Sequence, residues 1–146
     1  MLAGEDMPLD SVLKWAESAE VVIAADGGAN RLLECGVSPA QTIGDFDSAT
    51  PEAMRAGGML VRDARQDRTD CDKLLSLAAA GGYTEITLVS AEGDLPDHEI
   101  GTIHSAGRSP LLVRIAYRRG IAWMVRPGPS IEVAVSVGAR IAMLPI

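Results

Sequence analysis

Apolar and polar positions change period along this chain, and each change marks an element. Leu9, Val12, Leu13 and Ala16 recur at helical spacing in LDSVLKWAESAE. An amphipathic helix is expected there, with Trp15 packing rather than binding. Val21 to Ala25 is apolar on both faces, as buried parallel strands are. A polar glycine turn, Asp26 to Gly28, leads into a helix ending near Gly36. Gln41 to Ile43 predicts a second strand, running through GDFDS to ATPEAM, where Thr50 can cap a helix with Pro51 at its first position. MLVR (Met59 to Arg62) reads as a third strand. After the charged loop DARQDRTD, Thr69 with Asp72 three residues on predicts a capped helix from about Asp70, carried by LLSLAAA to Gly81-Gly82. EITLVSA is a fourth strand, and EGDLPDHE opens a short helix through about Ala106.

Strand and helix thus alternate four times, which predicts an α/β fold: a Rossmann-like open parallel sheet with helices on both faces. After Pro110 the texture changes to short β-rich runs, period-two stretches such as SIEVAVSV, and turns at Gly120, Pro127-Gly128 and Gly138. Residues 1–108 are therefore expected to form the α/β unit. Residues 109–146 are expected to open a partial antiparallel β-sandwich, with too few strands for an independent one of ~7.

Composition narrows the function. The chain has 146 residues, 47% of them apolar, and a formal charge of −7, which argues for one packed domain and against bulk nucleic-acid binding. An acidic protein can still take an anionic nucleotide when a metal ion bridges the two. Two cysteines, Cys35 and Cys71, no secretory signal and no apolar run of membrane-spanning length point to the cytoplasm with both thiols reduced. His98 and His104 are six apart, not the i, i+4 spacing of paired helical ligands. Arg114, Arg118 and Arg119 read as a solvated strand face.

The carboxylates fall in groups. Asp26 follows the first expected strand, Asp45 and Asp47 the second, Asp67 and Asp70 the third, Asp94 and Asp97 the fourth. Open α/β sheets bind ligands at the carboxyl ends of their strands, and so many carboxylates in one place cannot all stay ionised without cations. Oxygen-only donors suit magnesium or manganese. Asp26-Gly27-Gly28 would leave bare N–H groups at a helix start, although neither a G-x-G-x-x-G fingerprint nor a P-loop is present. Lys73 shares a helical face with Asp70 and could reach a phosphate. Taken singly, Asp26 reads first as a turn former, Asp70 as a helix-first-turn acid and Lys73 as a solvated side chain, while Asp45 and Asp47 fit a solvated turn and a site equally well. Their convergence on one edge is what argues for a site.

AADGGANRLLECGVSP (Ala24 to Pro39), IGDFDS (Ile43 to Ser48), QDRTDCDKLL (Gln66 to Leu75) and, more weakly, DHEIGTI (Asp97 to Ile103) resemble the catalytic domain of the thiamine pyrophosphokinase family in order and spacing. The resemblance implies transfer of pyrophosphate from ATP to the hydroxyl of thiamine, giving thiamine diphosphate and AMP, with attack at the β-phosphorus. It implies that Asp45, Asp47 and Asp70 hold magnesium against the triphosphate. Asp26, Gly27, Gly28, Asn30, Gln66, Thr69 and Lys73 would serve the nucleotide, and Asp97 and His98 the thiamine. Asp45, Asp47, Asp70 and Asp97 are the catalytic set it implies, and a homodimer the working assembly. Leu95 and Asp94 stand where the family usually has arginine and glycine. Two other readings share the scaffold: a divergent pyrophosphokinase for another hydroxymethyl heterocycle such as a pterin, and a non-catalytic nucleotide-binding member.

Overall fold

The computed structural model describes residues 1–93, 95–128 and 130–145. In chain order it contains α1 (Leu9–Ser18), β1 (Ile23–Ala25), α2 (Gly28–Glu34), β2 (Gln41–Gly44), α3 (Pro51–Ala56), β3 (Met59–Arg62), α4 (Asp70–Ala80), β4 (Glu85–Val89), α5 (Pro96–Arg108), β5 (Leu112–Tyr117) and β6 (Gly120–Trp123). β1, β2 and β3 form one parallel sheet in that order, with Ala24 opposite Thr42 and Thr42 opposite Leu60. β4 and β5 are parallel and β6 returns antiparallel.

Residues 1–4 stitch the two sheets together. The amino group of Met1 donates to Ile23 O at 2.7 Å, and Ala25 N donates back to Met1 O at 2.9 Å. On the other side Leu2 N donates to Val89 O and Gly4 N to Ser90 O, both at 2.9 Å. Residue numbers rise together on both sides, so this segment runs parallel to β1 and β4 and brings the carboxyl ends of both sheets to one edge.

Alternation along the strands sends side chains to two cores. Ala24, Val89 and Ala116 join Val12, Ala29, Leu32 and Ala53 of α1, α2 and α3. Their neighbours Ala25, Leu88 and Ile115 join Cys71, Leu74, Leu75 and Ala78 of α4. Helices therefore cover both faces, as the apolar-on-both-sides strands require. The caps form as the local sequence predicts. Thr50 Oγ1 accepts from Ala53 N at 3.2 Å with Pro51 at the first helical position. Thr69 and Asp72 close a capping box at the start of α4.

The second unit was expected to begin at residue 109, but residues 112–117 belong to the α/β sheet. Val113, Ile115 and Ala116 are each 0% exposed, because β5 is covered on both faces and the parallel ladder to β4 satisfies its backbone. α5 runs from Pro96 to Arg108, close to the end expected near Ala106, and buries Thr102, Ser105 and Ala106. Among the described residues after Trp123 no strand is assigned, and the alternating Val133, Val135 and Val137 stay exposed. No helix among the described residues is long and apolar enough to cross a membrane.

Candidate active site

Asp26 leaves β1 with φ at 39° and is 1% exposed. Its Oδ2 accepts from Phe46 N at 2.9 Å and its Oδ1 from Ser48 N at 3.2 Å. One buried carboxyl thus holds the GDFDS loop that follows β2. Gly44 makes room for it: a Cβ there would lie 2.6 Å from Asp26 Oδ2. Phe46 bends at φ 67° between two aspartates, and Ser90 after β4 at φ 59°. Left-handed backbone at non-glycine positions costs about 1–3 kcal/mol each. All three such residues among those described stand in loops at the carboxyl edge.

Carboxylate oxygens of Asp26, Asp45 and Asp47 all lie within 4.8 Å of one another. Asp45 Oδ2 also accepts from Gln66 Nε2 at 2.7 Å, and Asp47 Oδ1 from the Ser48 hydroxyl at 2.9 Å. Burial, and then the hydrogen bond it shares with Asp45, push the Asp26 carboxyl above the usual range. Asp45 is held below that range, first by Gln66 and then by Asp26. Protonation of Asp26, which its raised pKa favours, would relieve the repulsion between the two. The donors are all hard oxygens, crowded where a positive charge is wanted, which fits magnesium or manganese.

Asp70 is not in this group. It opens α4 and accepts from Lys73 Nζ at 3.1 Å. Lys73 is 3% exposed on the buried face of α4. Burial works against its charge, but the hydrogen bond and charge of Asp70, with Asp45 and Asp63 nearby, hold its pKa above the ordinary value. The ammonium is therefore a fixed cation beside the carboxylate group.

Other expected residues take supporting places. Asn30 Nδ2 donates to Ser48 O at 2.9 Å and its Oδ1 accepts from Thr50 N at 2.8 Å, so it clamps the end of the loop. Gly27 and Gly28 are buried where α2 starts under the amino-terminal segment, and a Cβ on Gly28 would stand 2.3 Å from Met1 O. Thr69 caps α4, and its hydroxyl lies 3.3 Å from that of Ser105. Asp97 and His98 sit in the first turn of α5, with side chains 76% and 58% exposed and 4.0 Å apart. Asp94 lies outside the described residues.

Two features went unread in the sequence. Asp63 extends β3, its N donating to Gly44 O at 2.8 Å, and its carboxylate takes a forked pair from Arg65 at 2.8 and 2.5 Å. Beside it a recess of about 420 Å³ opens between β3 and α4, walled by Asp63, Arg65 and Lys73. The signal was available, since Asp63 is one more acid directly after a strand. Asn30 was expected at the nucleotide, and only its clamp on the loop had no local signal, because its partners are 18 and 20 residues away.

The family pattern described as the catalytic domain of thiamin pyrophosphokinase matches residues 12–112. A thiamine pyrophosphokinase of Bacillus subtilis (strain 168) is 29% identical over 114 residues, covering 73% of this chain and 53% of the relative. The chain thus spans about half the length of the curated relative it matches. The crystal structure of thiamine pyrophosphokinase from Bacillus subtilis superposes with a TM-score of 0.62 at 25% identity, over 79% of this chain and 57% of that one. Thiamin pyrophosphokinase from Candida albicans shares the fold, with a TM-score of 0.66 at 18% identity, over 78% and 56% of the two chains.

Proposed function

This chain belongs to the thiamin pyrophosphokinase family through its catalytic domain, and on that premise we propose that it transfers a pyrophosphoryl group from ATP to the hydroxyl of thiamine. The observation that carries the reading is the convergence of Asp26, Asp45 and Asp47 beside the fixed ammonium of Lys73. Phosphoryl transfer asks a protein chiefly for positioning and for neutralisation of charge. Here the acidic group would hold magnesium, which supplies charge neutralisation on the triphosphate when bound. The thiamine oxygen forms a bond to the β-phosphorus, the bond from that phosphorus to the bridging oxygen breaks, and AMP leaves with that oxygen. The hydroxyl proton passes to a base or to water.

The chain's own part is to hold these groups still. Asp26 and Asn30 brace the loop that presents Asp45 and Asp47. Gln66 orients the Asp45 carboxylate. Lys73 offers its charge to phosphate oxygens, and Asp70 keeps it aimed and protonated. We assign Asp97 and His98, exposed at the start of α5, to the thiamine side. The stretch beyond the α/β sheet is proposed as the opening of the thiamine-binding β unit. Its exposed Val133, Val135 and Val137 are the apolar stripe a homodimer would cover. ATP being an intracellular nucleotide, the cytoplasm is the proposed compartment. The relatives named above are thiamine enzymes, which does not favour a pterin acceptor.

Calorimetric titration with a non-hydrolysable ATP analogue, with and without magnesium and on Asp45→Asn, tests the nucleotide half. Magnesium-dependent binding that the substitution abolishes is expected, and binding indifferent to both would overturn it. AMP release that depends on added thiamine tests the acceptor, and release driven equally by a hydroxymethylpterin would overturn that assignment. Light scattering tests the homodimer, and a monomer at working concentration would refute it.

A further inference from the structure

α4 and α5 lie on the same face of the sheet, where Leu74 and Leu75 of one share a core with Ala106 of the other. Each leads into a strand, α4 into β4 and α5 into β5, and those strands are parallel. Both helices therefore start from the carboxyl edge, but at different heights. Thr69, the cap of α4, meets the middle of α5. Its hydroxyl lies 3.3 Å from that of Ser105, and a Cβ on Gly101 would stand 3.8 Å from its methyl. The first turn of α5, with Asp97 and His98, thus stands beyond the point where α4 begins.

The join between the two helices is polar. Asp72 accepts from Thr69 N at 3.3 Å and from Thr69 Oγ1 at 3.0 Å, and its carboxylate also takes the Ser105 hydroxyl. Ser105 is 3% exposed. A serine inside a helix can bond the carbonyl four residues back on its own helix; this one reaches across to the cap of α4 instead. One turn before it, buried Thr102 shares a hydrogen bond with Cys71 of α4. Apolar contacts such as those of Leu74 with Ala106 are non-directional and let helices slide. A hydroxyl bonded to a carboxylate has a preferred length and angle, so it fixes the register of α5 on α4.

That register decides where His98 stands. His98 precedes Gly101, Thr102 and Ser105 by three, four and seven residues, so all four share one face of α5. At 1.5 Å per residue His98 lies about 10 Å beyond Ser105 along the helix. It stands past the start of α4, where Asp70 holds Lys73. On the reading that His98 serves the acceptor and Lys73 the phosphates, we propose that Ser105 is a positioning residue for pyrophosphoryl transfer. Its bond into the Thr69–Asp72 cap sets the height of the projecting turn, and with it the place of His98 over the start of α4. A misplacement of about 1 Å between reacting groups can cost about 100-fold in rate.

The test is Ser105→Ala in the full chain, which removes the hydroxyl and keeps a good helix former, beside Ser105→Thr, which keeps the hydroxyl. Residual dipolar couplings of the amides from His98 to Ile103, set against those of α4, read the tilt and mobility of the projecting turn with nothing bound. In the parent and in Ser105→Thr both sets are expected to fit one alignment. In Ser105→Ala the α5 set is expected to shrink or depart while the α4 set holds. Thiamine-dependent AMP release is expected to fall about tenfold or more in Ser105→Ala and to recover in Ser105→Thr, with affinity for a non-hydrolysable ATP analogue and magnesium unchanged. Couplings in Ser105→Ala equal to the parent's would overturn the proposal. So would parent-level turnover in that variant, or nucleotide affinity lost in step with turnover. A parent chain that releases no AMP with thiamine defeats the acceptor reading itself, and the couplings then decide the role of Ser105 alone.

Discussion

Asp26 makes an opposite-signed pair of pH responses, and both can be measured on one preparation. Burial and the bond shared with Asp45 raise its pKa in the folded chain. A carboxyl raised on folding binds its proton more tightly folded than unfolded. Metal-free folding stability therefore rises as pH falls from Asp26's folded pKa toward the ordinary carboxylate range. Asp45 is lowered, so it titrates below that range and leaves this window to Asp26. Cation binding must run the other way, because below Asp26's folded pKa a metal has to displace the proton there. In that window one proton leaves per cation bound, so affinity should fall about tenfold per pH unit on acidification and level off above it. Asp26→Asn carries no such proton and should abolish the dependence while weakening the cation at every pH. Asp26→Ala leaves the N–H groups of Phe46 and Ser48 without their acceptor, at about 1–3 kcal/mol each. The assay is calorimetric titration with magnesium or manganese between about pH 4 and 8 in two buffers of different ionisation enthalpy. Urea unfolding in chelator over the same range accompanies it. Cation affinity flat across the window, with Asp26→Asn matching the parent chain, would refute the shared-proton arrangement.

Three further outcomes follow from local geometry. Gly28→Ala should cost about 2–4 kcal/mol in urea unfolding, because its Cβ would meet the Met1 carbonyl at 2.3 Å and backbone must move; a variant as stable as the parent would refute the close approach. Thr69→Ala should cost about 1 kcal/mol at neutral pH. Asp72 is pushed up by burial but pulled below the ordinary value by bonds from Ser105 and Thr69. The stability it adds is present above the ordinary carboxylate pKa and lost as pH falls through the lowered one, so acid should erase part of the Thr69→Ala difference. Iodoacetamide at pH 8 should label half-buried Cys35 before Cys71, which is 3% exposed and whose thiol burial pushes up to about 12; mass spectrometry of early time points decides it.

What could be read from the sequence was what is decided locally. Thr50-Pro51 and Thr69 with Asp72 announce helix starts because their partners lie within one turn. GDFD announces a charged loop because two acids flank one residue. β5 was assigned to the wrong unit for the converse reason. LVRIAY is apolar enough for either sheet, and its pairing with β4 is favoured by α4 and α5 covering one face while Ala116 packs with α1 and α2 on the other, which no local pattern encodes. Asp70 is a similar case. Its position at the start of α4 fits a metal ligand and an ion pair equally well, and the competition with Lys73 is visible only once the ammonium is buried beside it.

That competition also explains how so acidic an edge folds at all. Carboxylates this close repel unless each is matched, and the chain meets the demand in three ways. Lys73 answers Asp70, and Arg65 answers Asp63 with a forked pair. Asp26, whose pKa is raised, can answer Asp45 by taking up a proton. Asp47 is exposed, and water screens it. Of these, only the proton is replaceable by a cation without breaking an ion pair or unfolding a helix. The position of Asp26, buried and tied to two backbone amides of the GDFDS loop, therefore couples the charge of the site to the shape of the loop. An exchange of proton for metal there changes what the site can bind while the strained backbone at Asp26 and Phe46 is already in place.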